Sequence, residues 1–250
     1  MALSKPEIVD VYRSRAKHYD VTAQFYYLVG FREWAYRTKA VNALGLRRGQ
    51  TVVEIGCGTG LNFALLQSAV GPEGRIIGVD LTDSMLSVAR ERIERNGWSN
   101  VELVHSDAAA FRFPPAVNGI ISTFALTLVP EYESVIRAGS EALVPGGRFV
   151  ILDFKLPENW LGRLAPLIVL TMRPFAVSLD LGTRHPWDAL RAHFDSMSMT
   201  DLYGGIAYLA VGERNRWWPD LLDGERPLRS ENSDTRTDRS PADRERPSNV

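Results

Sequence analysis

From Thr51 onward, short apolar runs rich in β-branched residues alternate with longer stretches in which apolar residues recur at helical spacing. TVVEIGC, RIIGVDL, NVELVHSD, GIISTFAL and RFVILDF have the length and composition of strands. Between them, LNFALLQSAV, DSMLSVARERIERNG and EYESVIRAGSEALVPGG predict helices, the second running from Asp83 or Ser84 to Gly97 and the third ending in a turn. This alternation predicts an α/β fold with a largely parallel sheet, right-handed crossovers and two helices on each face. Past Phe154 the rhythm changes: WDALRAHF reads as one more helix, and SMTDLYG and GIAYLAVGER as strands joined by a hairpin at Gly204-Gly205. Ahead of the sheet, residues from about Lys5 to Asn42 read as helical and carry Tyr12, Tyr19, Phe25, Tyr26, Tyr27, Phe31, Trp34 and Tyr36.

These patterns divide the chain into an N-terminal helical segment (1–45), a sheet domain (46–214) with an apolar, proline-punctuated insertion at about 156–186, and a polar tail (215–250) expected to be disordered. With 250 residues, 45% of them hydrophobic, the chain can bury a full core. A formal net charge of −1 argues against nucleic acid held by bulk electrostatics. The single cysteine, Cys57, excludes an intramolecular disulfide and fits a reducing compartment. The first residues lack the apolar core of a secretory signal, and Leu161–Leu181 is interrupted by Arg163, Pro166, Arg173 and Pro174. The expectation is a cytoplasmic protein that at most touches a membrane peripherally.

The chemistry gathers where strands end. Gly56, Gly58 and Gly60 follow the first strand as G-x-G-x-G, a spacing that differs from the G-x-G-x-x-G of dinucleotide sites. Glu54, just before that turn, disfavours a pyrophosphate; it could hold a cationic group or anchor the loop amides. Asp80 ends the second strand, where an acid can accept bonds from ribose hydroxyls. Asp107 follows the third strand, where a carboxylate could accept an adenine amine, and Leu81 and Met85 offer apolar faces to the ring. A ligand with an adenine, a ribose, a cationic tail and no phosphate fits these groups, and S-adenosylmethionine is such a ligand. After the fourth strand, STFALTLVP lacks both the Asn/Asp-Pro-Pro-aromatic clamp for nucleic-acid bases and an acidic cluster for Mg²⁺, so no metal is expected.

VVEIGCGTG, GVDLTDSML, SDAAAFRFP and ALVPGGRFVILDF together resemble the successive motifs of class I S-adenosylmethionine-dependent methyltransferases. The resemblance implies a Rossmann-like fold with a mostly parallel seven-stranded sheet, an antiparallel last strand and helices on both faces. It also implies a cofactor site. Gly56, Cys57, Gly58 and Gly60 would form the loop beneath the methionine part, with Glu54 as the acid before it. Asp80 would take the ribose, flanked by Leu81 and Met85, and Ser106, Asp107 and Ala108 would lie at the adenine. Thr123 would border both cofactor and acceptor.

AKHYD and YGGIAYLAVGER resemble methyltransferases of ubiquinone and menaquinone synthesis, although STFALTLVP stands where those enzymes have Asn-Phe-Gly-Leu-Arg-Asn. HYDVTAQFYYLVGFRE, GCGTGLN and FALTLVPEYESVIRAGSEALVPGGRFVILDF in combination resemble lipid-amine N-methyltransferases. The expectation is methyl transfer from S-adenosyl-L-methionine to a small-molecule or lipid acceptor, with N-methylation of a lipid amine head group leading. O- or C-methylation of a quinol or natural-product ring, a non-catalytic cofactor-binding scaffold and a nicotinamide-dependent oxidoreductase are the alternatives. Tyr19 and His18 are the candidate catalytic residues, Tyr27 a further acceptor-side candidate, and Asp153 either a base or a loop anchor. His105 reads as a strand-face residue and His185 as structural.

Overall fold

The computed structural model describes residues 30–157 and 183–215, together with Glu7, Asp10 and Arg13. The expectations for His18, Tyr19 and Tyr27, for nearly all of the insertion and for the tail beyond 215 lie outside these residues. The described elements are α1 (Glu33–Ala43), β1 (Thr51–Ile55), α2 (Phe63–Val70), β2 (Arg75–Asp80), α3 (Asp83–Asn96), β3 (Val101–His105) and β4 (Val117–Thr123). There follow α4 (Tyr132–Ala142), β5 (Leu143–Phe154), α5 (Pro186–His193), β6 (Ser196–Leu202) and β7 (Ala207–Glu213).

Seven strands form one sheet in the order β3-β2-β1-β4-β5-β7-β6. The first five run parallel, and β7 inserts antiparallel between β5 and β6. Strand alternation sorts the core onto two faces. Val53, Ile55, Ile77, Val79, Ile120 and Ile151 meet α4 and α5 on one side. Val52, Ile76, Ile121, Val150 and Leu152 meet α1, α2 and α3 on the other. The described helices are therefore three and two, not two per face, because α1 joins the sheet instead of lying ahead of it.

Three expectations need correcting at their boundaries. The helical reading across 5–42 breaks at Gly30, whose φ of 81° no helix accommodates, and residues 31 and 32 are not helical. The fourth strand stops at Thr123 because Phe124 takes φ 57°, and a single 3-10 turn at Leu126–Leu128 follows. The third predicted helix stops at Ala142, since Leu143-Val144-Pro145-Gly146-Gly147 enters β5 through a bulge with Gly146 at φ 79°. By contrast, α3 starts at Asp83 and ends on left-handed Gly97 as expected, with Trp98 N–H donating to the Ile93 carbonyl. The β6–β7 hairpin likewise turns through Tyr203, Gly204 and Gly205, all at positive φ.

Candidate functional site

The carboxyl ends of β1, β2, β3 and β4 border one cleft, the location expected where strand order reverses in an open parallel sheet. It encloses about 930 Å³ of empty space, open mouth included. Gly56, Cys57, Gly58, Asp80, Leu81, Met85, Ser106, Asp107, Ala108 and Thr123 all line it. Glu54 and Gly60 do not; they sit behind the wall.

The three loop glycines answer to three different neighbours. A Cβ on Gly56 would lie 2.3 Å from the Ala125 Cβ, so this glycine lets the turn after β1 touch the turn after β4. A Cβ on Gly60 would lie 2.5 Å from the Phe63 ring, which packs the loop onto α2. At Gly58 a Cβ would meet nothing within 4 Å, so its backbone faces the open cleft. The Gly58 N–H donates to Asp80 Oδ2 at 2.8 Å, and Thr82 N–H to Asp80 Oδ1 at 2.8 Å. Asp80 thus holds the loop against β2, leaving lone pairs for a ligand. Burial raises its pKa, opposed by those two amides.

Beyond β3, the Ser106 N–H donates to the Asp80 carbonyl, and Asp107 Oδ1 accepts the Ala109 N–H at 3.0 Å. Met85 is buried beneath this end of the cleft. Cys57 is buried as well, and burial pushes its thiol well above the usual range; its Sγ fills the space over Gly78 of β2.

A buried polar network at the β1/β4 end was only partly legible. Glu54 shares a sheet face with Val52, the side covered by α1 and α2, and so meets Asn62 and not the loop amides. Asn62 stands at the N-cap position of α2, yet its side chain makes no cap; its Nδ2 donates to Glu54 Oε1 at 2.6 Å and to Thr123 Oγ1 at 2.9 Å. From α1, Arg37 Nη1 donates to Thr123 Oγ1 at 2.7 Å and to Asn62 Oδ1 at 3.1 Å, while its Nε donates to Glu33 Oε1 at 2.8 Å. The guanidinium also lies 5.2 Å from the centre of the Phe124 ring. Glu54 Oε2 is buried with no hydrogen-bond partner among the described residues, and burial pushes the Glu54 pKa up to about 8 against the opposing pull of Arg37 and Asn62. The signal for Arg37 was present in the sequence. Glu33 and Arg37 continue, at helical spacing, the apolar stripe Ala40, Val41, Leu44, a place where charge needs partners.

Asp153 is an anchor here and not a base. Its Oδ2 accepts the Thr127 N–H and its Oδ1 the Phe154 N–H, both at 2.9 Å, and it is fully buried away from the cleft lining. It fixes the turn that presents Leu128, Val129 and Pro130 to the cleft. Burial raises its pKa to about 6. The His105 ring meets the Leu81 carbonyl at 2.9 Å, and His185 stacks on Trp187 at the start of α5. Among the described residues no cluster of three or more His, Cys, Asp or Glu could hold a metal ion, and no helix is long and apolar enough to cross a membrane.

A model of the ubiE/COQ5 methyltransferase family matches residues 1–168. The ubiquinone/menaquinone biosynthesis C-methyltransferase UbiE of Salmonella arizonae is 36% identical over 152 residues, which are 60% of this chain and 60% of that protein. The chain thus matches less than two thirds of the length of this curated relative. Among solved structures, phosphoethanolamine N-methyltransferase 2 of Haemonchus contortus has a TM-score of 0.58 at 15% identity, over 74% of this chain and 53% of its own. The geranyl diphosphate C-methyltransferase of Streptomyces coelicolor has a TM-score of 0.59 at 16% identity, over 73% of this chain and 79% of its own. These two likenesses are of fold alone. One methylates nitrogen and the other carbon by name, so the shared sheet does not select the acceptor.

Proposed function

The chain belongs to the ubiE/COQ5 methyltransferase family, and we propose that it transfers a methyl group from S-adenosylmethionine to a carbon of a small quinol-type ring. The observation that carries the cofactor reading is the Asp80–Gly58 contact: one carboxylate both fixes the glycine loop and faces the cleft. The bound cofactor would supply an electrophilic methyl on a sulfonium. Asp80 would accept the ribose hydroxyls, with Leu81 and Met85 against the adenine and Asp107 at its edge. The bare backbone of Gly58 leaves room for the ligand to approach the loop.

Displacement at a sulfonium carbon asks the protein chiefly for alignment and a dry site. The turn carrying Phe124, Ala125, Leu128, Val129 and Pro130 supplies an apolar wall beside Thr123, suited to an apolar acceptor. The ring-carbon acceptor is supported by the named activity of the curated relative. It takes precedence over the lipid amine, for which the curated relative named above does not speak and which a nitrogen-methylating structure supports in fold alone.

Calorimetry with S-adenosylmethionine tests the cofactor site. Asp80→Ala should weaken binding by about 10- to 100-fold, the loss of hydrogen bonds to a charged group; unchanged affinity overturns the assignment. Labelled methyl should then appear in a demethylated quinol in preference to phosphatidylethanolamine vesicles. Label in the vesicles alone would restore the lipid amine.

A further inference from the structure

The apolar wall of the cleft rests on one residue that is held from two sides. Once Phe124 has left the sheet at φ 57°, the chain makes a single 3-10 turn, Leu126–Leu128, too short to keep its shape through its own hydrogen bonds. Leu128 closes that turn and, with Val129 and Pro130, lines the cleft. Thr127 is buried at the middle of the turn, and each of the two peptide planes flanking its Cα is claimed by a charged side chain. On one side its N–H donates to Asp153 Oδ2 at 2.9 Å; on the other its carbonyl accepts from Arg184 Nη1 at 2.8 Å. A residue has two soft backbone dihedrals, and these two bonds constrain both. Charge assistance makes each of them stronger than a bond between neutral groups.

The two arms of this clamp share a foundation. Asp153 is the register partner of Tyr208 on β7, and the Tyr208 ring meets Trp187 of α5 edge-on at 4.9 Å. Buried Ala189 and Leu190 seat α5 against the same face of the sheet. Arg184 lies two residues ahead of that helix and does not line the cleft, so it acts there only through Thr127. We propose that Arg184 is a positioning residue of the reaction, holding Thr127 so that Leu128, Val129 and Pro130 keep the acceptor aligned with the methyl donor. The proposal rests on the reading of this wall as the acceptor side of the cleft. It gives the approach to α5 a task that neither the glycine loop nor the acids at the strand ends perform.

Of the two arms, Asp153 is the worse one to remove, because it is fully buried and its loss would strand two amides. Arg184 is half-buried, and its replacement opens no core. The test therefore uses the full chain with Arg184→Met, which keeps the side chain's bulk and removes its donors, and Arg184→Lys, which restores a donor and the charge. In Arg184→Met the Leu128 and Val129 amides should exchange with solvent about 10- to 100-fold faster, the loss of one hydrogen bond to a charged group. Amides of β1 and β2 should keep their rates. With a demethylated quinol as acceptor, kcat/KM for the quinol should fall by about 10- to 100-fold, the scale on which a misplaced reactant slows a reaction. Affinity for S-adenosylmethionine, read by calorimetry, should stay unchanged, and Arg184→Lys should recover part of both losses. Unchanged exchange at Leu128 and Val129 would overturn the clamp. Faster exchange with unchanged kcat/KM, or an equal loss of cofactor affinity and turnover, would overturn the positioning role. If wild-type protein transfers no methyl to the quinol, the acceptor reading falls, whereas the exchange rates still decide the clamp.

Discussion

Glu54 is the residue at which burial and charge are most at odds. Its carboxyl has one partner in Asn62, one orphaned oxygen and a pKa raised from 4.5 to about 8. A carboxyl whose pKa is raised by folding binds its proton more tightly in the native state. Its contribution to stability is therefore greatest in acid and is lost as pH rises from the unfolded value through about 8. Glu54→Gln keeps the shape and cannot ionise. The wild-type melting temperature relative to that variant should accordingly fall by about 5 °C or more between pH 5 and pH 9, several kcal/mol being available from such a shift. Parallel melting curves of the two proteins across that range would show instead that Glu54 is already ionised in the ligand-free state.

The glycine loop concentrates the same logic at the scale of an element. Substituting alanine at Gly60 drives a Cβ into the Phe63 ring at 2.5 Å on a backbone at φ 76°, so overpacking and strain combine. Gly60→Ala should cost about 2–4 kcal/mol of stability, read by denaturant unfolding. Gly58→Ala meets open space at φ 53° and should cost only about 1 kcal/mol, yet weaken S-adenosylmethionine binding, because its new methyl enters the cleft that the ligand would fill. Equal stability losses in the two variants would contradict this division of labour. The loop was legible in sequence because its spacing is local: three glycines and two acids at strand ends follow from chain order and the handedness of crossovers. The Arg37–Asn62–Thr123–Glu54 network was not, since its members come from α1, the N-cap of α2, β4 and β1 and meet only once the sheet face is assigned. Asp153 was ambiguous for a related reason. Its position at a strand end is read from the sequence, but the Thr127 amide that claims its Oδ2 belongs to a turn set by Phe124 at positive φ.

In the whole molecule, α1 joins two distant regions. Its N-terminal turns reach the cleft through Arg37, and its last residue, Ala43, accepts a bond from Arg148 Nη1, whose Nε donates to Glu213 at the end of β7. The buried stripe Ala40, Val41 and Leu44 packs against the sheet between these tethers. A ligand that binds only the folded state slows exchange through global unfolding everywhere, by mass action. Local openings respond only where the ligand adds or tightens contacts. Because Arg37 of α1 lines the cleft, saturating S-adenosylmethionine should slow exchange of α1 amides by local opening, while the edge strand β6, which among the described residues pairs in the sheet only with β7 and does not line the cleft, should be unaffected in the same regime. A Glu33→Gln/Arg37→Gln variant supplies the control: it should still bind through the Asp80 end, yet lose the added protection in α1. Protection of α1 that survives in that variant would mean that the helix is braced by its apolar stripe alone, and that the coupling between α1 and the cleft does not pass through the guanidinium.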